Sequence, residues 1–223
     1  MNQIATAADA GRPRREVRAR YDDETITVYQ AYAARIAVPA LAAGTFVDPF
    51  KRARMTWIKP SFLWMMYRAG WGRKPDQERI LAIDITRRGF EEALSQAVLS
   101  HFDRSRYATR EEWSAAVRSS PVRVQWDPER DLSLNPLPYR AIQIGLSGTA
   151  VDRYVEDWIT GIRDVTTTAH EIHAAVRSGD LSTAASLLPR ERPYPLPAPL
   201  AQQVAEPVAE PIAEQVTDQV AGP

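Results

Sequence analysis

Apolar and polar residues alternate with period two through Thr25-Ile-Thr-Val-Tyr-Gln-Ala-Tyr32. Such alternation predicts a strand with Ile26, Val28, Gln30 and Tyr32 on one face and Thr27 and Tyr29 on the other. A helix is predicted over residues 33–43, with Gly44 at its C-terminal cap and Phe46 returning to the core. Residues 55–59 form a short strand that Pro60 ends, and the pairs Phe62/Met66 and Leu63/Tyr67 mark a helix closed by Gly70. The apolar run within residues 79–85 predicts a strand buried on both faces. Thr86 then caps a helix reaching to about residue 102, with Phe90, Leu94, Ala97 and Val98 inward.

Thr109-Arg-Glu-Glu112 has capping-box spacing and opens a helix expected to bury Trp113, Ala116 and Val117. Residues 121–126 alternate as a strand and stop at Asp127-Pro128, a turn signal. A connection over residues 128–138 carries Glu129, Arg130 and Asp131, and residues 140–146 form a further strand. From Gly148, large apolar residues recur at three- and four-residue spacing to Val176, which predicts one long helix ended by Gly179. Residues 181–188 form a last short helix.

These elements predict an α+β fold: a single domain of mixed, mostly antiparallel sheets flanked by helices. With 223 residues, 44% of them hydrophobic, the chain can bury one substantial core. Residues 1–13 read as a disordered leader, 14–188 as the domain, and 189–223 as a disordered Pro/Ala/Glu-rich tail with a near-repeat of Val204-Ala-Glu-Pro. Such a tail buries too little apolar area to offset its ordering entropy. The absence of cysteine removes disulfides and thiolate chemistry, and no segment is apolar for the length of a bilayer span. A soluble, cytoplasmic protein without membrane contact is expected. Oligomeric state leaves no mark on this pattern.

Charge sharpens the picture. Residues 1–79 carry 14 Lys/Arg against 8 Asp/Glu, so the front of the chain is positive although the whole is neutral. Such a field attracts a nucleotide, another phosphate-bearing ligand or nucleic acid, or else is an ordinary solvated surface. Residues 50–71 concentrate Trp57, Trp64 and Trp71 beside Lys51, Arg52, Arg54, Lys59 and Arg68. Trp57, Lys59 and Ser61 fall at a strand-to-helix junction, where backbone N–H groups meet phosphates. Arg18 and Arg20 are candidates for anion contact, or pair with the acidic residues 22–24. Gln30 and Gln143 sit in apolar strands and imply either a polar pocket between sheets or ordinary core hydrogen bonds. His170-Glu-Ile-His173 lacks a third ligand and the zinc spacing, so no metal is expected. Phosphate-loop, dinucleotide-turn and nucleophile-elbow motifs are absent.

The blocks Tyr21-Asp-Asp-Glu-Thr-Ile-Thr-Val-Tyr-Gln-Ala-Tyr32, Arg54-Met-Thr-Trp-Ile-Lys-Pro-Ser-Phe-Leu-Trp-Met-Met-Tyr-Arg68, Val124-Gln-Trp-Asp-Pro-Glu-Arg130 and Ile142-Gln-Ile-Gly-Leu146 resemble the signature blocks of the domain-of-unknown-function family four-two-nine-one. That family implies no activity. The order of elements also resembles an ADP-ribosyltransferase core, in which a first strand bears a polar nicotinamide-site residue, a second an aromatic or serine, and a late strand a catalytic Glu. The corresponding strands here carry Tyr29, Gln30 and Tyr32, then Thr56, Trp57, Lys59 and Ser61, and last Gln143. The late strand thus departs from the pattern, and Glu129 is the nearest carboxylate.

This second resemblance implies an NAD-dependent transferase with nucleic acid, protein or a small molecule as acceptor. It places Arg18, Arg20 and Lys59 on phosphates, Trp57 or Tyr29 against the base, Ser61 at the junction, Gln30 and Gln143 as orienting groups, and Glu129 as the carboxylate. The competing expectation is a non-catalytic module in which cations track phosphates and Trp57, Trp64 or Trp71 stack nucleic-acid bases.

Overall fold

The computed structural model describes residues 12–205. In chain order it runs β1 (Arg18–Ala19), β2 (Thr25–Tyr32), α1 (Ala34–Ala43), β3 (Thr56–Ile58), α2 (Phe62–Ala69), β4 (Arg79–Thr86), α3 (Arg87–Ser95), β5 (Ala97–Leu99) and α4 (Arg110–Ser119). The second half holds β6 (Val122–Arg130), β7 (Pro136–Leu146), α5 (Thr149–Arg153), a π-helical turn (Tyr154–Trp158), β8 (Ile159–Asp164), α6 (Thr166–Ser178), α7 (Leu181–Leu187), β9 (Arg192–Pro193) and α8 (Ala198–Val204). The fold is α+β in one domain.

Two sheets carry the core. One has the antiparallel order β2-β4-β8, the other the order β3-β7-β6-β5, antiparallel except for the β5/β6 pair. The alternation in β2 does what it predicts: Ile26 and Val28 are fully buried between layers. β4 is central in its sheet, which is why its apolar run is continuous. A main-chain bridge links the two sheets, where the Tyr29 amide donates to the Lys59 carbonyl at 2.7 Å. There the chain leaving β3 turns away from β7 and bridges to β2.

Five expectations change. The helix after Thr86 ends at Ser95, and residues 97–99 form edge strand β5. Ala97 and Leu94 fit a helical stripe, but Ala97 and Leu99 equally fit one face of a strand, and pairing with β6 decides. The helix opened by Thr109 buries none of its residues fully; Trp113 is half-buried and its indole donates to the Leu99 carbonyl at 2.9 Å. β6 does not stop at Asp127-Pro128 but continues to Arg130 through a register shift, so only residues 131–135 join it to β7. A bulge tolerates the missing proline donor that a regular ladder would not.

The long helix is the largest difference. It breaks into α5, the π turn, β8 and α6. Ile159 and Ile162 have helical spacing, yet they pair with Ile85 and Ile83 across a register shift at Asp84/Ile85. The bulge lets a three-residue spacing serve a strand. The π turn buries Trp158 against Gly89, where an added Cβ would lie 2.4 Å from the indole.

Residues 189–205, expected as tail, form a strap. Tyr194 and Val204 are buried, the Trp126 indole donates to the Val204 carbonyl at 2.7 Å, and Arg106 donates to the carbonyls of Gln202, Gln203 and Ala205. The expected leader, apart from Arg12 and Pro13, and the rest of the tail lie outside the described residues.

Candidate functional site

A cleft of about 860 Å3 opens beside the joint between the sheets. Its walls come from the end of β2, the segment 49–57 with β3, α2 and the paired strands β6 and β7. Gln30 ties these walls together. Its amide nitrogen donates to Thr56 Oγ1 at 2.6 Å, Tyr32 Oη at 3.0 Å and the Trp57 carbonyl at 3.2 Å, and its oxygen accepts from Tyr154 Oη at 2.8 Å. Burying an amide is costly unless it is bonded, and here both ends are. Gln30 therefore sets the spacing of the two sheets at the cleft.

Lys59 lies in the cleft wall, 6% exposed. Its ammonium donates to the Trp57 carbonyl at 2.9 Å and stands 5.6 Å from the centre of the Trp64 ring. Burial, reinforced by the charge of Arg68, pushes its pKa down to about 7, and Asp127 opposes this. Trp57 is half-buried and packs on Gly145 of β7, where an added Cβ would stand 2.9 Å from the indole ring. Only glycine admits the ring this close to the strand.

On the facing strands, Gln125 and Gln143 are register partners. Both donate to Asp127, Gln143 to Oδ2 at 2.6 Å and Gln125 to Oδ1 at 2.9 Å. The two amides line the cleft and hold a carboxylate next to it. Tyr32, Phe50 and Met65 supply apolar surface, and Arg35, Lys51, Arg54 and Arg68 join Lys59 as cations against the single acid Asp76. Arg35 and Asp76 pair at 2.8 Å.

The structure thus brings Gln30, Trp57, Lys59 and Gln143 to one cleft and leaves five other candidate residues elsewhere. Ser61 caps α2, accepting from the Trp64 amide at 3.1 Å, and donates to Glu129 Oε1 at 2.8 Å. Glu129 also accepts from the Arg130 amide, and its burial raises its pKa. Tyr29 is core, edge-on to Phe62 with centroids 5.3 Å apart. Arg18 pairs with Glu16 at 3.0 Å and donates to the Glu191 carbonyl; Arg20 is exposed, and its carbonyl accepts from the Thr27 amide. The local reason is parity: Tyr29 and Gln30 are neighbours in β2 and point to opposite sides of the sheet.

Glu191 joins the Ser61 and Glu129 group. Its carboxylate accepts from the Phe62 amide at 2.7 Å, and burial together with the nearby charge of Glu129 pushes its pKa up to about 8. The remaining tryptophans of the 50–71 stretch are core: Trp64 and Trp71 are 6% and 4% exposed, and Trp71 stacks on His173 at 5.1 Å. Gln125, Asp127 and Glu191 were not candidates in the sequence. The signal for the first two was present, since Gln125 and Asp127 continue the alternation of β6, but Asp-Pro reads as a turn. Among the described residues no group of three or more His, Asp or Glu side chains is placed to hold a metal ion. No described helix is long and apolar enough to cross a membrane.

Residues 16–194 match the sequence profile of a family described as a domain of unknown function, DUF4291. No curated protein matches the chain.

Proposed function

The chain belongs to the DUF4291 family, and from the cleft we propose that it is an NAD-using transferase of ADP-ribosyltransferase type. One observation carries this reading: Trp57, Lys59, Gln30 and Gln143 line a single cleft, while Trp64 and Trp71 are buried away from solvent. An aromatic face, amides and an excess of cations in about 860 Å3 suit a dinucleotide with a pyrophosphate. A polynucleotide module would need the tryptophans arrayed on an open surface, and two of the three are in the core.

In this reading Lys59, Arg54 and Arg68 meet the pyrophosphate and Trp57 or Tyr32 stacks on a ring. The carboxylate is Asp127, oriented by Gln125 and Gln143. Glu129 lies outside the cleft lining, bonded to Ser61 and the Arg130 amide, whereas Asp127 is held by two amides that line the cleft, so in this reading Asp127 takes the role that the resemblance gave to Glu129. The reaction breaks the bond between ribose C1′ and nicotinamide nitrogen; the pair of electrons leaves with nicotinamide. A nucleophilic oxygen or nitrogen of the acceptor bonds C1′ and gives its proton to solvent. A negative charge beside C1′ stabilises the oxocarbenium-like transition state.

The test is transfer of label from NAD carrying a labelled adenylate, with protein, RNA, DNA or water as acceptor. Asp127→Asn is expected to lower transfer by roughly 100-fold or more while NAD still raises the melting temperature. If NAD neither raises the melting temperature of the wild type nor is cleaved by it, the reading is wrong.

A further inference from the structure

Among the described residues, the cleft contains one buried cation that carries no ion pair, Lys59. Lys59 Nζ has, among the described residues, a single acceptor, the Trp57 carbonyl at 2.9 Å, and the Trp64 ring beside it. Among the described residues, the charges that reach it are Asp127 from β6 and Arg68 from α2, which act in opposite senses. The main chain of Lys59 bridges to Tyr29 of β2, whose side chain points to the opposite side of that sheet, and Asp127 is already held by Gln125 and Gln143. The ammonium is therefore desolvated without a counter-ion of its own, and such a group gives up its proton readily.

We infer that an anionic group of the ligand completes an ion pair with Lys59, and that this amine takes up one proton from solution as the ligand enters. The balance is simple: neutral amine, one proton and the anion give the ammonium paired with the anion, with no bond made or broken elsewhere. Arg35, Lys51, Arg54 and Arg68 also line the cleft and attract the anion. Lys59 differs from them in being buried. It makes the cleft select for an anion over a neutral ligand, and it makes that choice depend on pH.

The inference rests on the reading of this cleft as a nucleotide-type site, and two probes separate their failures. NAD and inorganic sulfate keep constant charge on their anionic groups between about pH 6 and about pH 9, so any proton taken up is the protein's. For the wild type, NAD affinity is expected to fall close to tenfold per unit above about pH 7. Calorimetric titration in buffers of different ionisation heat should show uptake approaching one proton per ligand near pH 8. Lys59→Arg should bind with a flat pH profile and Lys59→Met weakly and flat, both without proton uptake. Wild-type binding of NAD that is independent of pH and takes up no proton would overturn the inference.

Failure of NAD to bind at every pH would remove the dinucleotide reading and leave sulfate to decide. A rise in melting temperature with sulfate that is present near pH 6, lost near pH 9 and absent in Lys59→Met would uphold the ion pair at Lys59. A sulfate effect that is absent, or that persists in Lys59→Met, would overturn it.

Discussion

At Lys59 the protein holds a charge at its own expense. The native pKa of about 7 lies below the usual 10.5, so between these values the unfolded chain binds a proton that the folded one has released. Stability therefore rises with pH through that window, and the full penalty is present below about pH 7. Lys59→Met should remove the slope and raise stability below pH 7 by at most about 5 kcal/mol, read from denaturant midpoints at several pH values. A variant that unfolds more readily at pH 6 would contradict this. Gln30 is the opposite kind of residue, a buried polar group that stabilises. Gln30→Leu leaves Tyr154 Oη without its acceptor and Thr56 without its amide donor, and should cost about 2–4 kcal/mol in the same measurement.

The elements depend on where single residues let them approach one another. Trp158 of the π turn lies over Gly89 of α3, and Gly89→Ala would force an overlap with a rigid ring. The expected loss is about 2–3 kcal/mol, with the melting temperature as readout; no loss would mean that the π turn can shift without disturbing β8. The start of α2 is held to the strap by Glu191, whose carboxyl accepts from the Phe62 amide. Its pKa is raised to about 8, so the folded state keeps a proton that the unfolded chain releases above about 4.5. This contribution falls as pH rises from about 4.5 to about 8, opposite in sign to Lys59 over the unit they share. Glu191→Gln keeps the acceptor without the charge and should raise the melting temperature near pH 9 but leave it nearly unchanged near pH 4. An equal shift at both pH values would show that the effect is not ionisation.

Across the whole molecule, the strap of residues 189–205 runs from β1 to the back of β6 and covers Trp126. A chain ending at residue 188 would bare that indole, leave Arg106 without its carbonyl acceptors and remove Glu191, so a lower melting temperature and exposed apolar surface by dye binding are expected. An unchanged melting curve would mean that the strap only lies on the fold. Alternation in β2, the apolar run of β4 and the capping residues made the α+β class, the doubly buried strand and the caps at Gly44, Gly70, Thr86, Thr109 and Gly179 legible, because these depend on local periodicity, on side chains that bond the first turn of a helix and on backbone conformations that few residues adopt. The same local rules misplaced β5 and β8, whose residues satisfy both a helical and a strand period, and only an available sheet edge decided between them. Lys59, Trp57 and their cations were legible as a cluster because they are close in the chain. The parity of β2 already set Tyr29 apart from Gln30, but the union of Lys59 and Trp57 with Gln30, Gln143 and Asp127, and the separation of Ser61 and Glu129 from them, was decided by tertiary structure alone, since which faces of two strands come together is fixed only when the sheets meet.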